Sequence, residues 1–127
     1  MKDELLPVLR QSYPELFASP HLREIRCYPG WAGLLNALCR TLQNYVDDHP
    51  DARQLVIVQI KEKWGGLRVY VNGGDAFCKG AIALATEVSL TMCDVCGRPG
   101  SLVGEGWVSV RCEQHLDWSP DASIGDQ

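Results

Sequence analysis

The chain has 127 residues, of which 46% are hydrophobic and 22% charged, with a formal net charge of −4. That length supports one domain with a modest core and excludes two independent ones, and the acidic balance argues against a general nucleic-acid coat while suiting a basic partner. The start, Met-Lys-Asp-Glu-Leu-Leu-Pro, lacks the apolar run of a signal peptide. No stretch approaches the ~18 apolar residues of a membrane span, so no membrane contact is expected.

In chain order, Lys2 to about Ser12 puts Leu5, Leu6 and Leu9 on one side of a short amphipathic helix that Tyr13-Pro14 ends. Pro14, Pro20 and Pro29 break the next segment. Residues 1–28 are therefore read as a helix and a wrapping arm, with one helical turn at Glu15–Ala18 and an extended piece near Ile25.

Residues 29–91 form the predicted α/β core. Trp31, Leu34, Leu35, Leu38, Cys39, Leu42, Tyr45 and Val46 recur at helical spacing and share one face, which must be buried. Asp47-Asp48-His49-Pro50-Asp51 is a polar stop, with His49 a solvated residue at the helix end. Leu55–Ile60 is β-branched and short, a strand whose first half is buried on both faces.

Gly65-Gly66 then separates two β-prone runs and predicts a hairpin with those glycines at its turn. With a two- or four-residue loop the parity is the same, so Val56, Val58, Ile60, Leu67, Val69 and Val71 share a face. Lys61, Lys63, Arg68 and Tyr70 share the other. Like charges close across a hairpin are mildly destabilising, yet three cations gather there on an acidic chain, so they either meet solvent or acidic groups elsewhere in the fold or mark the face as a partner-binding candidate. Glu62 falls on the apolar side and is expected to reach solvent or pair with a base. A phosphate-cradling loop is excluded, because a strand rather than a helix follows the glycines.

Asn72-Gly73-Gly74-Asp75 reads as a turn with Asp75 as N-cap, opening a helix over Ala76–Thr91. Its buried face is predicted to carry Phe77, Ala81, Leu84, Ala85 and Val88.

The helix runs directly into Cys93-x-x-Cys96-Gly97, and after fifteen intervening residues comes Cys112-x-x-His115. Each two-residue gap lets a tight turn aim two donors at one point, and two such pairs close a tetrahedron. Three thiolates and an imidazole in that register specify structural Zn2+, with Cys93, Cys96, Cys112 and His115 as ligands; iron also accepts thiolates. Gly100, Gly104 and Gly106 punctuate a short hairpin with Trp107–Arg111 as its return strand.

Residues 92–118 make up this module, whose few apolar side chains cannot offset ordering at ~1.5 kcal/mol per residue, whereas metal binding worth ~10–16 kcal/mol in zinc peptides can. Trp118 either tucks onto the module or waits for a partner. Residues 119–127 form an acidic tail expected to be flexible. Cys39 and Cys78 read as small hydrophobes on helix faces, and the cysteines form no extracellular disulfide framework, which points to a reducing cytoplasm. The fold class is α+β: amphipathic helices packed on a β-hairpin sheet, followed by a zinc-ribbon or treble-clef-like module, all in one domain.

Gly30-Trp31 with Leu34-Leu35 and Leu38-Cys39, the string Lys61-Glu-Lys-Trp-Gly-Gly-Leu-Arg-Val-Tyr70, Cys93-x-x-Cys96-Gly97, and Trp107 through Cys112-x-x-His115 resemble, in combination, a group of small uncharacterised phage, prophage and bacterial zinc-binding proteins. The likeness covers roughly residues 30–115. It implies a zinc-binding domain and a mobile-element setting, and carries no activity with it.

Three functions are expected, in descending order. The first is a non-enzymatic protein-binding domain, an inhibitor or immunity-type protein acting on a basic partner through Lys61, Lys63, Arg68, Tyr70 and Trp118 or through its acidic surface. The second is nucleic-acid binding by the hairpin cations and Tyr70. The third, catalysis, is disfavoured: a zinc deaminase needs His-x-Glu and Pro-Cys-x-x-Cys, whereas Met92 precedes Cys93 and no His-x-Glu occurs. Glu113 is the acid to test. Oligomeric state is open.

Overall fold

The computed structural model describes residues 2–120, so the expected acidic tail lies, beyond Pro120, outside the described residues. Its elements are α1 (Lys2–Ser12), α2 (Ala32–Asp48), β1 (Val56–Lys63), β2 (Gly66–Asn72), α3 (Ala76–Ser89), β3 (Ser101–Val103) and β4 (Ser109–Arg111). Single 3-10 turns precede α2 at Pro29–Trp31 and follow β4 at Glu113–His115. The strands make two antiparallel two-stranded sheets, β1-β2 and β3-β4. Mixed α+β architecture is thus present as expected. Among the described residues no helix is long and apolar enough to cross a membrane.

The α2 face is buried as its periodicity requires, with Trp31, Leu35, Cys39 and Leu42 fully enclosed and Leu34, Tyr45 and Val46 partly so. Leu6 and Leu9 of α1 and Leu16, Phe17, Leu22 and Ile25 of the arm join the same core. The arm also adds backbone hydrogen bonds to the free edge of β1. Ile57 N–H donates to Leu16 O at 2.9 Å, Arg26 N–H donates to Ile60 O at 3.0 Å, and Glu62 N–H donates to Arg26 O at 3.0 Å. The extended piece near Ile25 is therefore a short parallel bridge between Arg26 and Lys61.

The hairpin differs from expectation in three places. Its turn residues are Trp64 (φ 55°) and Gly65 (φ 85°), with Gly66 already paired to Lys63 in the ladder. A two-residue turn with both φ positive matches the twist of the strands, and Glu62 helps hold it: its Oε2 accepts the Gly65 N–H at 2.8 Å, instead of pairing with a base. Second, Ile57 pairs with Val71 but Gln59 with Tyr70, so Val58 is an extra residue in β1. A bulge of this kind reverses the alternation behind it. Ile57 and Ile60 are fully buried, whereas Val56 and Val58 are half-buried. Third, Leu55, fully buried, precedes the strand rather than opening it.

Helix α3 begins where predicted, the Asp75 carboxylate accepting the Cys78 N–H at 3.2 Å. Its buried face is rotated from the expected one. Cys78, Ala85 and Ser89 are enclosed, while Phe77 and Leu84 are exposed. The reason is polar. The outer edge of β2 needs hydrogen-bond partners, and Ser89 Oγ accepts the Leu67 N–H at 2.9 Å while Thr86 Oγ1 donates to the Leu67 carbonyl at 2.8 Å. Turning the hydroxyls to the sheet satisfies a buried backbone that an all-apolar face would leave unpaired. Phe77 instead stacks on Tyr45, ring centroids 4.2 Å apart.

Candidate metal centre

The Cys93–Cys96 turn is built by backbone hydrogen bonds: Cys93 N–H to Arg98 O at 2.7 Å and Gly97 N–H to Cys93 O at 2.8 Å. Gly97 adopts φ 82°, the left-handed conformation that a residue without Cβ takes at no cost. The turn is welded to the start of α2. Gly30 N–H donates to Asp94 O at 2.8 Å, the Trp31 indole N–H donates to Met92 O at 3.0 Å, and a Cβ on Gly30 would lie 2.6 Å from the Asp94 carbonyl oxygen. The β3-β4 hairpin then returns the chain, and the 3-10 turn after β4 presents Cys112 and His115.

One donor atom from each of Cys93, Cys96, Cys112 and His115 lies within 4.8 Å of all the others. The Sγ atoms of Cys96 and Cys112 are 3.7 Å apart, and the His115 Nδ1 sits 3.8 Å from Cys93 Sγ and 3.2 Å from Cys112 Sγ. Such a Cys3His group can hold a metal ion. All four cysteine and histidine positions expected from the spacing are thus brought together. Burial alone would push the Cys93 thiol up, but backbone N–H groups of Cys112, Cys96 and Val95 aimed at it bring it down to about 6. At Cys96 the Arg98 N–H pulls the thiol down, yet burial and the Cys112 and Cys93 sulfurs prevail and raise it.

Behind the ligands stands a brace that the sequence did not mark. Arg111, next to Cys112, donates from Nε to Asp94 Oδ1 at 2.8 Å. Its Nη1 donates to the His115 carbonyl at 3.2 Å and the Trp118 carbonyl at 2.8 Å. The guanidinium carbon lies 5.5 Å from the Trp118 ring centre and 5.9 Å from that of Tyr28, and those two rings meet edge to face at 4.8 Å. Trp118 therefore tucks onto the module and the arm. An acid just after the first ligand and a base just before the third was the available signal.

The hairpin residues Lys61, Lys63, Arg68 and Tyr70 do share a face, with Lys61 directly opposite Arg68. Lys61 Nζ lies 5.5 Å from the Tyr70 ring centre, and Lys63 is exposed. Arg68 is half-buried, its Nε enclosed with no hydrogen-bond partner among the described residues. Glu113 is exposed. Burial lifts the thiols of Cys39 and Cys27 to about 12, Asp94 and Glu62 adding to the effect at Cys27, and burial also raises Cys78, so these three stay protonated thiols rather than nucleophiles. Two side chains that hydrophobic periodicity does not single out as surface features are Trp64 and Trp107, 68% and 83% exposed.

Compared with protein-family models, curated proteins and solved structures, the chain matches none.

Proposed function

We propose that the protein is a non-enzymatic protein-binding domain stabilised by a structural zinc ion. The observation that carries this reading is the closed Cys3His cluster, since four protein donors complete a tetrahedral ion and keep no coordination position for a substrate or an activated water. Zinc fits the spacing. Zn–S bonds of ~2.3 Å in a tetrahedron put sulfurs ~3.8 Å apart, against the 3.7 Å between Cys96 and Cys112. A cysteine knuckle, a hairpin and two ligands on a following helical turn is a treble-clef-like arrangement.

The resemblance of the Lys61–Tyr70 and paired-ligand strings to phage and prophage proteins supports a mobile-element role, and the net charge of −4 supports a basic partner, as for an inhibitor or immunity-type protein in a reducing cytoplasm. The first experiment is purification through a mild tag without chelator, with metal and co-purifying macromolecules measured on one sample. One zinc per chain with a stoichiometric protein partner is the expected result; metal-free protein with oxidised cysteines overturns the zinc, and nucleic acid in place of protein overturns the partner class.

Nucleic-acid binding is the second reading, favoured by the cations gathered beside Tyr70 on one hairpin face. Its phosphate contacts are strongest at low salt, so absence of oligonucleotide binding there disposes of it.

A further inference from the structure

Trp64 and Trp107 sit where folding gives them no reason to be. Trp64 occupies the first position of the β1-β2 turn at φ 55°, a conformation suited to Asn, Asp or Gly and strained for a bulky side chain. Its indole nevertheless stands in solvent, and Trp107, in the loop between β3 and β4, is more exposed still. Strain kept at an exposed aromatic is a mark of use rather than of stability.

Trp64 and Trp107 line one slot of about 220 Å³, with Glu62 also on its wall. Glu62 and Trp107 further line a neighbouring cleft of about 240 Å³ that runs between the arm and the metal module. In that cleft Arg26 is paired with Glu24 at 2.7 Å and Arg111 with Asp94 at 2.8 Å. Glu62 remains, a carboxylate with no cationic partner among the described residues and with one oxygen engaged by the Gly65 N–H. Lys63 borders the slot too, but its side chain alternates to the opposite face of β1 from Glu62 and is exposed. At Cys27 in the neighbouring cleft, burial first and then the carboxylates of Asp94 and Glu62 push the thiol up.

We propose that Trp64, Trp107 and Glu62 form a receptor for a cationic side chain, a guanidinium or ammonium, presented by a basic segment of a protein partner. Indole faces attract cations through their quadrupole, and a carboxylate beside them adds a charge-assisted hydrogen bond that fixes the cation's position. Arginine suits the site best, since its planar group can stack on an indole while donating sideways to Glu62. The slot takes one side chain, so affinity for a whole segment depends on the residues around it. This proposal rests on the protein-binding reading and supplies the chemistry of the partner.

The test uses the full metal-loaded chain and an acetylated, amidated hexa-arginine peptide, with hexaglutamate and oligothymidylate as comparison probes, followed by the indole N–H signals in proton–nitrogen NMR spectra. Shifts confined to the Trp64 and Trp107 indoles, with Trp31 unmoved, are expected for hexa-arginine alone. Glu62→Gln, which keeps an acceptor for the Gly65 N–H, and Trp107→Ala should each weaken that binding by tenfold or more with zinc content and melting temperature unchanged. Unmoved indoles at low salt, or an affinity indifferent to both substitutions, overturn the site. Oligothymidylate shifting the same indoles regardless of Glu62 overturns it in favour of a stacking platform for nucleic acid. A protein partner held equally by the native chain and a Trp64→Ala/Trp107→Ala variant overturns the site while leaving the protein-binding reading intact.

Discussion

Arg111 donates from Nε to Asp94 Oδ1 at 2.8 Å across a pair of side chains only 9% and 3% exposed. The bond joins the cysteine turn to the strand that delivers Cys112, so it ties together the two halves of the ligand set. Arg111→Met strands a buried carboxylate and should cost about 3–5 kcal/mol, whereas Arg111→Met combined with Asp94→Leu should recover most of that loss. Urea denaturation of the metal-loaded protein measures both, and equal destabilisation by the single and double variants counts against the pair being the cause.

Gly30→Ala tests the weld between α2 and the metal module. The added methyl would meet the backbone of Asp94, 2.6 Å from its carbonyl oxygen, and backbone yields less readily than a side chain. Overpacking costs about 1–3 kcal/mol, and the upper end is expected here. Retained stability together with full metal occupancy would show that the module can shift off the helix.

Trp64→Asn should make the protein more stable. A left-handed backbone costs an ordinary side chain about 1–2 kcal/mol and asparagine less, so the expected gain is about 1 kcal/mol. For a domain of this size that is roughly a 3–5 °C rise in melting temperature, read by calorimetry. A lower melting temperature would mean that the indole packs in solution more than its 68% exposure indicates.

Acid should release the metal. The Cys93 thiol sits at about 6 in the fold against an ordinary value of 9.0, a depressed acid, so its contribution to stability is complete above 9.0 and is lost as pH falls through about 6. Protons and the ion compete for the same sulfur, which places metal loss on the acid side of neutrality. Titrating the loaded protein from about pH 8 to about pH 4, a range that brackets the depressed thiol, with a colorimetric zinc indicator checks the sign. Release on raising pH would contradict it.

The metal ligands were legible because two donors a turn apart, repeated once, leave few other physical explanations. Helix α2 was legible for a similar reason, eight apolar positions in one stripe. The faces of the hairpin were readable up to the Val58 bulge, since alternation carries no sign of an inserted residue until pairing is known, but the register was not, because the turn falls one residue earlier than the glycines indicate. The rotation of α3 escaped because Ser89 and Thr86 count as polar in any periodicity, and their value lies in the unpaired edge at Leu67 that only the tertiary fold reveals. The Trp64-Gly65 turn escaped for the opposite reason: glycine chemistry favours Gly65-Gly66, and the observed turn takes a residue that local propensity would reject.

The arm's bridge to β1 also sets an order of events during synthesis. Leu16, Phe17, Leu22 and Ile25 leave the ribosome before the strand edge they are to cover. Arg26 precedes its bridge partner Lys61 by about 35 residues, which at ~5–20 residues per second is a wait of about 2–7 s. During that interval the nascent chain carries an apolar, proline-broken segment with no strand to dock on, open to chaperones and to other nascent chains, and the wait ends before the metal ligands have been made.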